Sequence, residues 1–167
     1  GIVNGASSNA ALGDGKYFVA EMDESDGTFL YFYPRYAVVT NIDFEHVDYY
    51  HTFENVLAGY KKFMQQVSHE GYFLVWGEDP NLRRLSSDLK CKVLTYGFET
   101  NNDIYTANMQ MNEKGGSYDC YYQERKIGRI ELVIPGKHNI LNSLAAVCIG
   151  LLMGVDFKVI QESLKEY

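Results

Sequence analysis

The chain has 167 residues, of which 46% are hydrophobic and 22% are charged, and its formal net charge is −7. This length and composition suit one globular domain with a core of its own. The negative charge, without a stripe of Lys or Arg, argues against a protein that binds the nucleic-acid backbone. The longest apolar run, residues 144–153, is too short to cross a bilayer, so we expect no membrane partner.

The cysteines Cys91, Cys120 and Cys148 are widely spaced and form no CxxC pair. This spacing favours buried thiols in a reducing compartment over a disulfide framework or a zinc site. We therefore expect a cytoplasmic protein. The sequence starts at Gly1 without an initiating methionine, which we interpret as the start of a fragment.

The first half of the chain alternates predicted strands with predicted helices. The strands fall at residues 16–21, 36–41, 72–76 and 91–96, and the helices at 53–67 and 80–86. The longer helix has the clearest signal, because Thr52 is a capping residue and apolar side chains follow at helical spacing. This alternation predicts an α/β fold with a mostly parallel sheet and right-handed crossovers.

The second half alternates apolar and polar residues over 104–111, 117–123 and 126–134, which predicts an antiparallel meander flanking the parallel core. A buried helix is predicted from about Asn139 to Met153, with Gly154 ending it. A last amphipathic helix is predicted from a cap at Asp156 to Leu164.

Three polar clusters interrupt this apolar scaffold. The first is the acidic segment, residues 21–27, in which Glu21, Asp23, Glu24 and Asp26 follow the first predicted strand. Ligands of open α/β sheets sit at the carboxyl ends of strands, and clustered carboxylates suit a hard cation such as Mg²⁺. A solvated acidic turn explains the same residues equally well.

The second cluster places Glu45, His46 and Asp48 after the predicted strand at 36–41. If the two preceding strands are parallel neighbours, Glu21 and His46 meet at one edge of the sheet and could share a cation. A lone histidine near a strand end is otherwise a packed or surface residue.

The third cluster, His138, Asn139 and Asn142, lies at the start of a predicted helix. The spacing places the two asparagines on one face of the first turn, and an amide that both donates and accepts hydrogen bonds suits the edge of a purine. Capping by Asn139, with Asn142 solvated, is the simpler explanation of the spacing alone.

Together the clusters resemble the central, ATP-binding domain of the Mur ligases. The family pattern is approximately EADESDGSFL, then AVVTNI and DHLDYY, then PGxHNxxNALAA. This chain has EMDESDGTFL at 21–30, AVVTNI at 37–42, EHVDYY at 45–50 and PGKHNILNSLAA at 135–146. The DESDG form favours the branch that joins L-alanine to UDP-N-acetylmuramate over the murein tripeptide recycling ligase.

For the fold, the resemblance implies a three-layer αβα Mur ligase central domain over residues 1–167. Its sheet would be mostly parallel, as in P-loop NTPases, with a flanking antiparallel sub-sheet. The family's GTxGKT phosphate loop does not occur in the 167 residues, and Gly13-Asp14-Gly15-Lys16 lacks the following Ser or Thr. We therefore expect an N-terminally truncated domain, whose UDP-binding and C-terminal domains lie elsewhere in the enzyme.

For the activity, the resemblance implies an ATP-dependent amide ligase of peptidoglycan precursor synthesis. The carboxylate of UDP-N-acetylmuramate attacks the γ-phosphate of ATP, and the amine of L-alanine displaces phosphate from the resulting acyl phosphate. By motif position Glu21 and His46 would bind Mg²⁺, while His138, Asn139 and Asn142 would line the adenine pocket.

The remaining polar residues have less definite roles. The resemblance implies substrate or supporting contacts for Asp23, Glu24 and Ser25, while Lys61 is expected to be a solvated helix lysine. We expect the isolated chain to have no ligase activity. Two alternatives stay open: a metal-dependent hydrolase, which needs more ligands than the sequence offers, and a non-catalytic nucleotide-binding or scaffolding module.

Overall fold

The computed structural model describes residues 10–166, which form one mixed sheet with helices on both faces. The strands are β1 (Tyr36–Val39), β2 (Tyr72–Trp76), β3 (Lys92–Gly97), β4 (Ile104–Asn112), β5 (Gly115–Tyr122) and β6 (Arg125–Leu132). The helices are α1 (Val47–Tyr50), α2 (Phe53–Gln65), α3 (Pro80–Ser86), α4 (Lys137–Leu152) and α5 (Phe157–Glu166). A 3₁₀ turn at Thr28–Tyr31 precedes β1.

The sheet has six strands in sequence order, β1 to β6. β1, β2, β3 and β4 are parallel, whereas β5 and β6 continue the sheet in antiparallel fashion. The predicted parallel core is thus confirmed. The predicted antiparallel meander is confirmed as well, and it flanks the parallel strands as part of the same six-stranded sheet.

The pairing of β3 with β4 explains this continuity. Only Tyr96↔Ile104 and Gly97↔Tyr105 are paired, so the rest of β4 runs on beyond the end of β3. The short connection between the two strands is closed by Asp103, whose carboxylate accepts hydrogen bonds from the Thr95 amide at 2.8 Å and the Thr95 hydroxyl at 2.9 Å. The hairpins of β4–β6 therefore extend the sheet past the carboxyl ends of the parallel strands.

The strands alternate between two hydrophobic cores, which gives the predicted three layers. In β2, Phe73 and Val75 face the core under α2 and α3, whereas Leu74 faces the core under α4 and α5. All three side chains are fully buried, as expected for a strand with helices on both faces. Cys91, Cys120 and Cys148 are buried and free, which confirms the prediction of buried thiols.

The helix ends largely follow the predicted capping residues. The Thr52 hydroxyl accepts a hydrogen bond from the Asn55 amide at 3.3 Å at the start of α2. The Asp79 carboxylate accepts two from the first turn of α3, next to Pro80. α4 begins two residues before the predicted Asn139, because Gly136 occupies the cap position. None of the described helices has the length and apolarity needed to cross a membrane.

The predicted strand at residues 16–21 is wrong. This segment has no regular structure, and Phe18 and Val19 are 89% and 84% exposed. The rings of Tyr17 and Tyr36 pack edge to face with their centroids 6.2 Å apart, so the segment passes beside β1. Within residues 10–166, however, no strand pairs with the outer edge of β1. The apolar composition of residues 17–20 predicts a strand, but within residues 10–166 no strand pairs with them.

The β4–β6 hairpins contain a buried carboxylate. Asp119 is 4% exposed and accepts hydrogen bonds from Asn108 at 2.9 Å, Lys126 at 2.8 Å and Arg129 at 3.1 Å. Asn108 reaches it because a bulge between Ala107 and Gln110 gives Asn108 a left-handed φ of 49°. The hydrogen bonds from Asn108 and Lys126, and then from Arg129, lower the pKa of Asp119 to about 2.

This environment predicts an acid-sensitive contribution to stability. Because the folded pKa of about 2 lies below the ordinary 3.8, the contribution is fully present above the ordinary value and is lost as the pH falls toward 2. We expect Asp119→Asn to be less stable than wild type at neutral pH. Its free energy of unfolding, measured in urea, should fall less than that of wild type between about pH 4 and pH 2. Parallel pH profiles would contradict this assignment.

Candidate functional site

The acidic segment forms a tight turn that is held by its own backbone. The Asp23 carboxylate accepts a hydrogen bond from the Ser25 amide at 2.7 Å, and the Asp26 carboxylate accepts one from the Thr28 amide at 2.9 Å. Hydrogen bonds from Ser25 hold the pKa of Asp23 below its ordinary value, and those from Thr28 do the same for Asp26. Both carboxylates are therefore ionised at neutral pH.

Gly27 allows this turn to fold. Its φ is 75°, and its amide donates to the Glu24 carbonyl at 3.1 Å. A Cβ here would lie 2.1 Å from the Tyr49 hydroxyl oxygen, so the turn also passes close to the Tyr49 ring. The position thus favours glycine both for its left-handed backbone and for the close approach of an aromatic ring.

His46 has an unusual backbone conformation that turns the chain toward the acidic segment. It caps α1 with φ 53° and ψ 45°, and its carbonyl accepts hydrogen bonds from the Tyr49 and Tyr50 amides at 2.9 and 3.0 Å. Its Nε2 lies 3.5 Å from Oε1 of Glu24. A left-handed residue other than glycine stores backbone strain, which concentrates at functional sites.

These residues enclose an open cleft of about 440 Å³, lined by Glu21, Met22, Asp23, Glu24 and His46. Asp23, Glu24 and His46 each offer one ligand atom, and these atoms lie within 4.8 Å of one another. Two carboxylates and an imidazole are a donor set that fits a divalent cation. No second group of three such residues occurs in the described part of the chain.

The structure thus brings Glu21 and His46 to one cleft, although not along two neighbouring strands as expected. The carboxylate that contacts the imidazole is that of Glu24. The assignment of Glu21 and His46 as Mg²⁺ ligands stays a prediction. Asp23 and Glu24, expected to have supporting roles, have carboxylate oxygens within 4.8 Å of a ring nitrogen of His46, so they could share a cation with it.

The third cluster lies at the N-terminus of α4. His138 and Asn142 are exposed, and the Asn139 side chain donates through Nδ2 to the Pro135 carbonyl at 2.7 Å. Gly136, not Asn139, is the cap, so the capping explanation of Asn139 is wrong and its side chain instead fixes the preceding loop. The assignment of His138, Asn139 and Asn142 to an adenine pocket stays a prediction.

The cleft at His46 and the N-terminus of α4 both lie toward the carboxyl ends of the parallel strands. His46 follows β1, and α4 starts beside the end of β4, where Ile140 approaches Gly116. Ligands of open α/β sheets bind at this edge.

Lys61 is not the solvated lysine that the sequence predicted. Its ammonium donates to the Leu85 carbonyl at 2.7 Å and pairs with Asp88, and its side chain is 23% exposed. The hydrogen bond from Lys61 lowers the pKa of Asp88. Lys61 therefore ties α2 to the end of α3.

Sequence reasoning missed Tyr50 at this site. It is 5% exposed, its hydroxyl donates to the Glu24 carbonyl at 2.7 Å, and burial raises its pKa to about 12. The available signal was an aromatic pair, Tyr49-Tyr50, inside an acidic patch, where a solvated turn would have no need of large rings.

A comparison with family models matches residues 3–150 to the Mur ligase middle domain. This chain belongs to that family. The family match agrees with the resemblance drawn from the three clusters, and it covers the acidic segment, His46 and the start of α4. The domain limits of 1–167 stay a prediction.

Curated relatives are similar to this chain over its whole length. The UDP-N-acetylmuramate–L-alanine ligase of Desulforamulus reducens is 40% identical over 168 residues, which is 100% of this chain and 36% of that protein. The chain thus spans about a third of the length of such relatives.

Solved Mur ligases share the fold. The UDP-N-acetylmuramate-alanine ligase MurC from Thermotoga maritima aligns with a TM-score of 0.72 and 21% identity over 87% of this chain and 32% of that one. The MurF ligase from Thermotoga maritima in complex with ADP aligns with a TM-score of 0.63 and 18% identity over 77% of this chain and 30% of that one.

The left-handed backbone of His46 can be tested with a matched pair of variants. His46→Gly and His46→Ala both delete the imidazole, but only alanine retains the Cβ that disfavours this conformation. We expect His46→Gly to be more stable than His46→Ala by about 1 kcal/mol in urea denaturation. A His46→Ala variant of equal or greater stability would argue against the positive φ.

Proposed function

We propose that the chain is the Mg²⁺- and ATP-binding part of a ligase that joins L-alanine to UDP-N-acetylmuramate in peptidoglycan precursor synthesis. The observation that carries the proposal is the meeting of the acidic segment and His46 in one cleft at the carboxyl edge of the sheet. The similarity to UDP-N-acetylmuramate–L-alanine ligases over the whole chain supports the choice of reaction.

In the proposed reaction, the carboxylate of UDP-N-acetylmuramate attacks the γ-phosphate of ATP, which gives an acyl phosphate and ADP. The amine of L-alanine then displaces phosphate and forms the amide. Bound Mg²⁺ would neutralise the charge on the phosphoryl oxygens. Glu21 and His46 would hold this ion, joined by Glu24 and Asp23, whose ligand atoms lie within 4.8 Å of that of His46.

The N-terminus of α4 would bind the adenine. Asn139 is fixed by its hydrogen bond to Pro135, whereas His138 and Asn142 are exposed toward solvent at the same helix start. The carbonyl and amino groups of Asn142 can pair with the acceptor and donor of the adenine edge.

The rest of the reaction requires other parts of the protein. No GTxGKT phosphate loop occurs in the 167 residues, and the UDP-sugar and L-alanine would bind to the N- and C-terminal domains of the same polypeptide. We propose that residues 1–167 have no ligase activity alone and that the full protein acts in the cytoplasm.

The test of this proposal is alanine-dependent ADP release by the full-length protein. Glu21→Gln and Glu24→Gln should each lower kcat/KM at limiting Mg²⁺ by about tenfold or more, because a charged ligand of the ion is lost. Asp26→Asn is the matched control: it removes a charge from the same segment but not from the cleft lining, and asparagine can still cap Thr28. Its activity should stay within about twofold.

Two results would overturn parts of the proposal. An equal loss in Asp26→Asn would mean that the net charge of the segment, and not a cation site, supports activity. ATP binding without alanine-dependent ADP release would instead favour the non-catalytic nucleotide-binding module.

The adenine assignment makes a separate prediction. Asn142→Ala in the full-length protein should raise the KM for ATP about tenfold, because about two hydrogen bonds to the base are lost. The KM for L-alanine should not change. Lys137→Ala, an exposed neighbour in the same helix turn, provides the control. An unchanged KM for ATP in Asn142→Ala would remove Asn142 from the nucleotide site.

A further inference from the structure

We propose that Tyr50 is a positioning residue that holds the acidic segment against His46, so that the cleft presents its ligands in one arrangement. Its hydroxyl donates to the Glu24 carbonyl at 2.7 Å across 26 residues of sequence. This inference rests on the proposed function, because the arrangement matters only if the cleft binds a cation.

Tyr50 is itself firmly held. Its side chain is 5% exposed and lies in the hydrophobic core with Phe29 and Val56. The Asn55 side chain donates to the Tyr50 carbonyl at 2.7 Å, which fixes the end of α1 against the first turn of α2. The hydroxyl therefore extends from a rigid base to the acidic segment.

The same residue contacts the other half of the cluster. The Tyr50 amide donates to the His46 carbonyl at 3.0 Å, so that the single turn of α1 joins the two residues. One side of Tyr50 thus fixes His46 through the backbone, and the other fixes Glu24 through the hydroxyl. With these two backbone contacts in place, Nε2 of His46 lies 3.5 Å from Oε1 of Glu24.

The acidic segment needs such an anchor. The hydrogen bonds that Asp23 accepts from the Ser25 amide and Asp26 accepts from the Thr28 amide are local and fix only the shape of the turn. No strand pairing holds the segment within the described residues, and its carboxylates repel one another. The bond from Tyr50 joins the turn to the core at the residue whose carboxylate contacts His46.

The test uses the full-length protein with Mn²⁺ as the probe, because free Mn²⁺ can be counted by electron paramagnetic resonance. Tyr50→Phe keeps the buried ring and removes only the hydroxyl. We expect it to weaken Mn²⁺ binding about fivefold, the effect of one hydrogen bond. Tyr60→Phe is the matched control, because Tyr60 packs in the same core and no hydrogen bond to its hydroxyl occurs among residues 10–166.

A second measurement separates positioning from general destabilisation. Hydrogen exchange of the Gly27 amide, which donates to the Glu24 carbonyl, should be faster in Tyr50→Phe without metal, whereas exchange of the core Leu74 amide should match that of wild type. Equal loss of protection at both amides would overturn the positioning role, because it would mean that the Tyr50 hydroxyl contributes only to the overall stability of the fold.

Failure of the inference and failure of the proposed function give different results. If Glu24→Gln weakens Mn²⁺ binding but Tyr50→Phe binds Mn²⁺ as tightly as wild type, Tyr50 has no positioning role and the cation site stands. If Glu24→Gln binds Mn²⁺ as tightly as wild type, the cation site at Glu24 is wrong, and the inference falls with it.

Discussion

The parallel pairing of β1 to β4 is the constraint on which the candidate site depends. Parallel strands direct their carboxyl ends to one edge, so the loop after β1 and the helix start beside β4 come to the same side of the sheet. The brief register between β3 and β4 adds to this effect, because it lets β4 continue past the edge and support α4 there.

Within this frame, the charges of the acidic segment determine its local structure. Like charges at short range repel, so a turn with four carboxylates in six positions requires compensation. Asp23 and Asp26 obtain it from backbone amides, and Glu24 lies beside His46. What remains toward solvent is a negatively charged cleft with an imidazole at its side, an arrangement that a divalent cation would stabilise.

Much of the fold followed from sequence because the signals were local. The caps Thr52 and Asp79 and the apolar run of β2 depend on neighbours within a few residues. The failures were non-local. Residues 16–21 have the composition of a strand, but no strand pairs with them within residues 10–166. Lys61 is half-buried because it bonds to the Leu85 carbonyl of α3, which follows it in sequence. Spacing alone could not reveal either contact.

The candidate site shows the same division. Its residues could be identified from the sequence, since acidic and amide side chains stand out against apolar strands, but the contact of the Tyr50 hydroxyl with the Glu24 carbonyl could not. That contact joins residues 26 positions apart through a backbone carbonyl, which has no sequence signature. Family motifs point to Glu21 by its position in a pattern, whereas the carboxylate that lies beside the His46 ring is that of Glu24. Both residues line one cleft, and the proposed anchor at Tyr50 would determine which of their carboxylates faces His46.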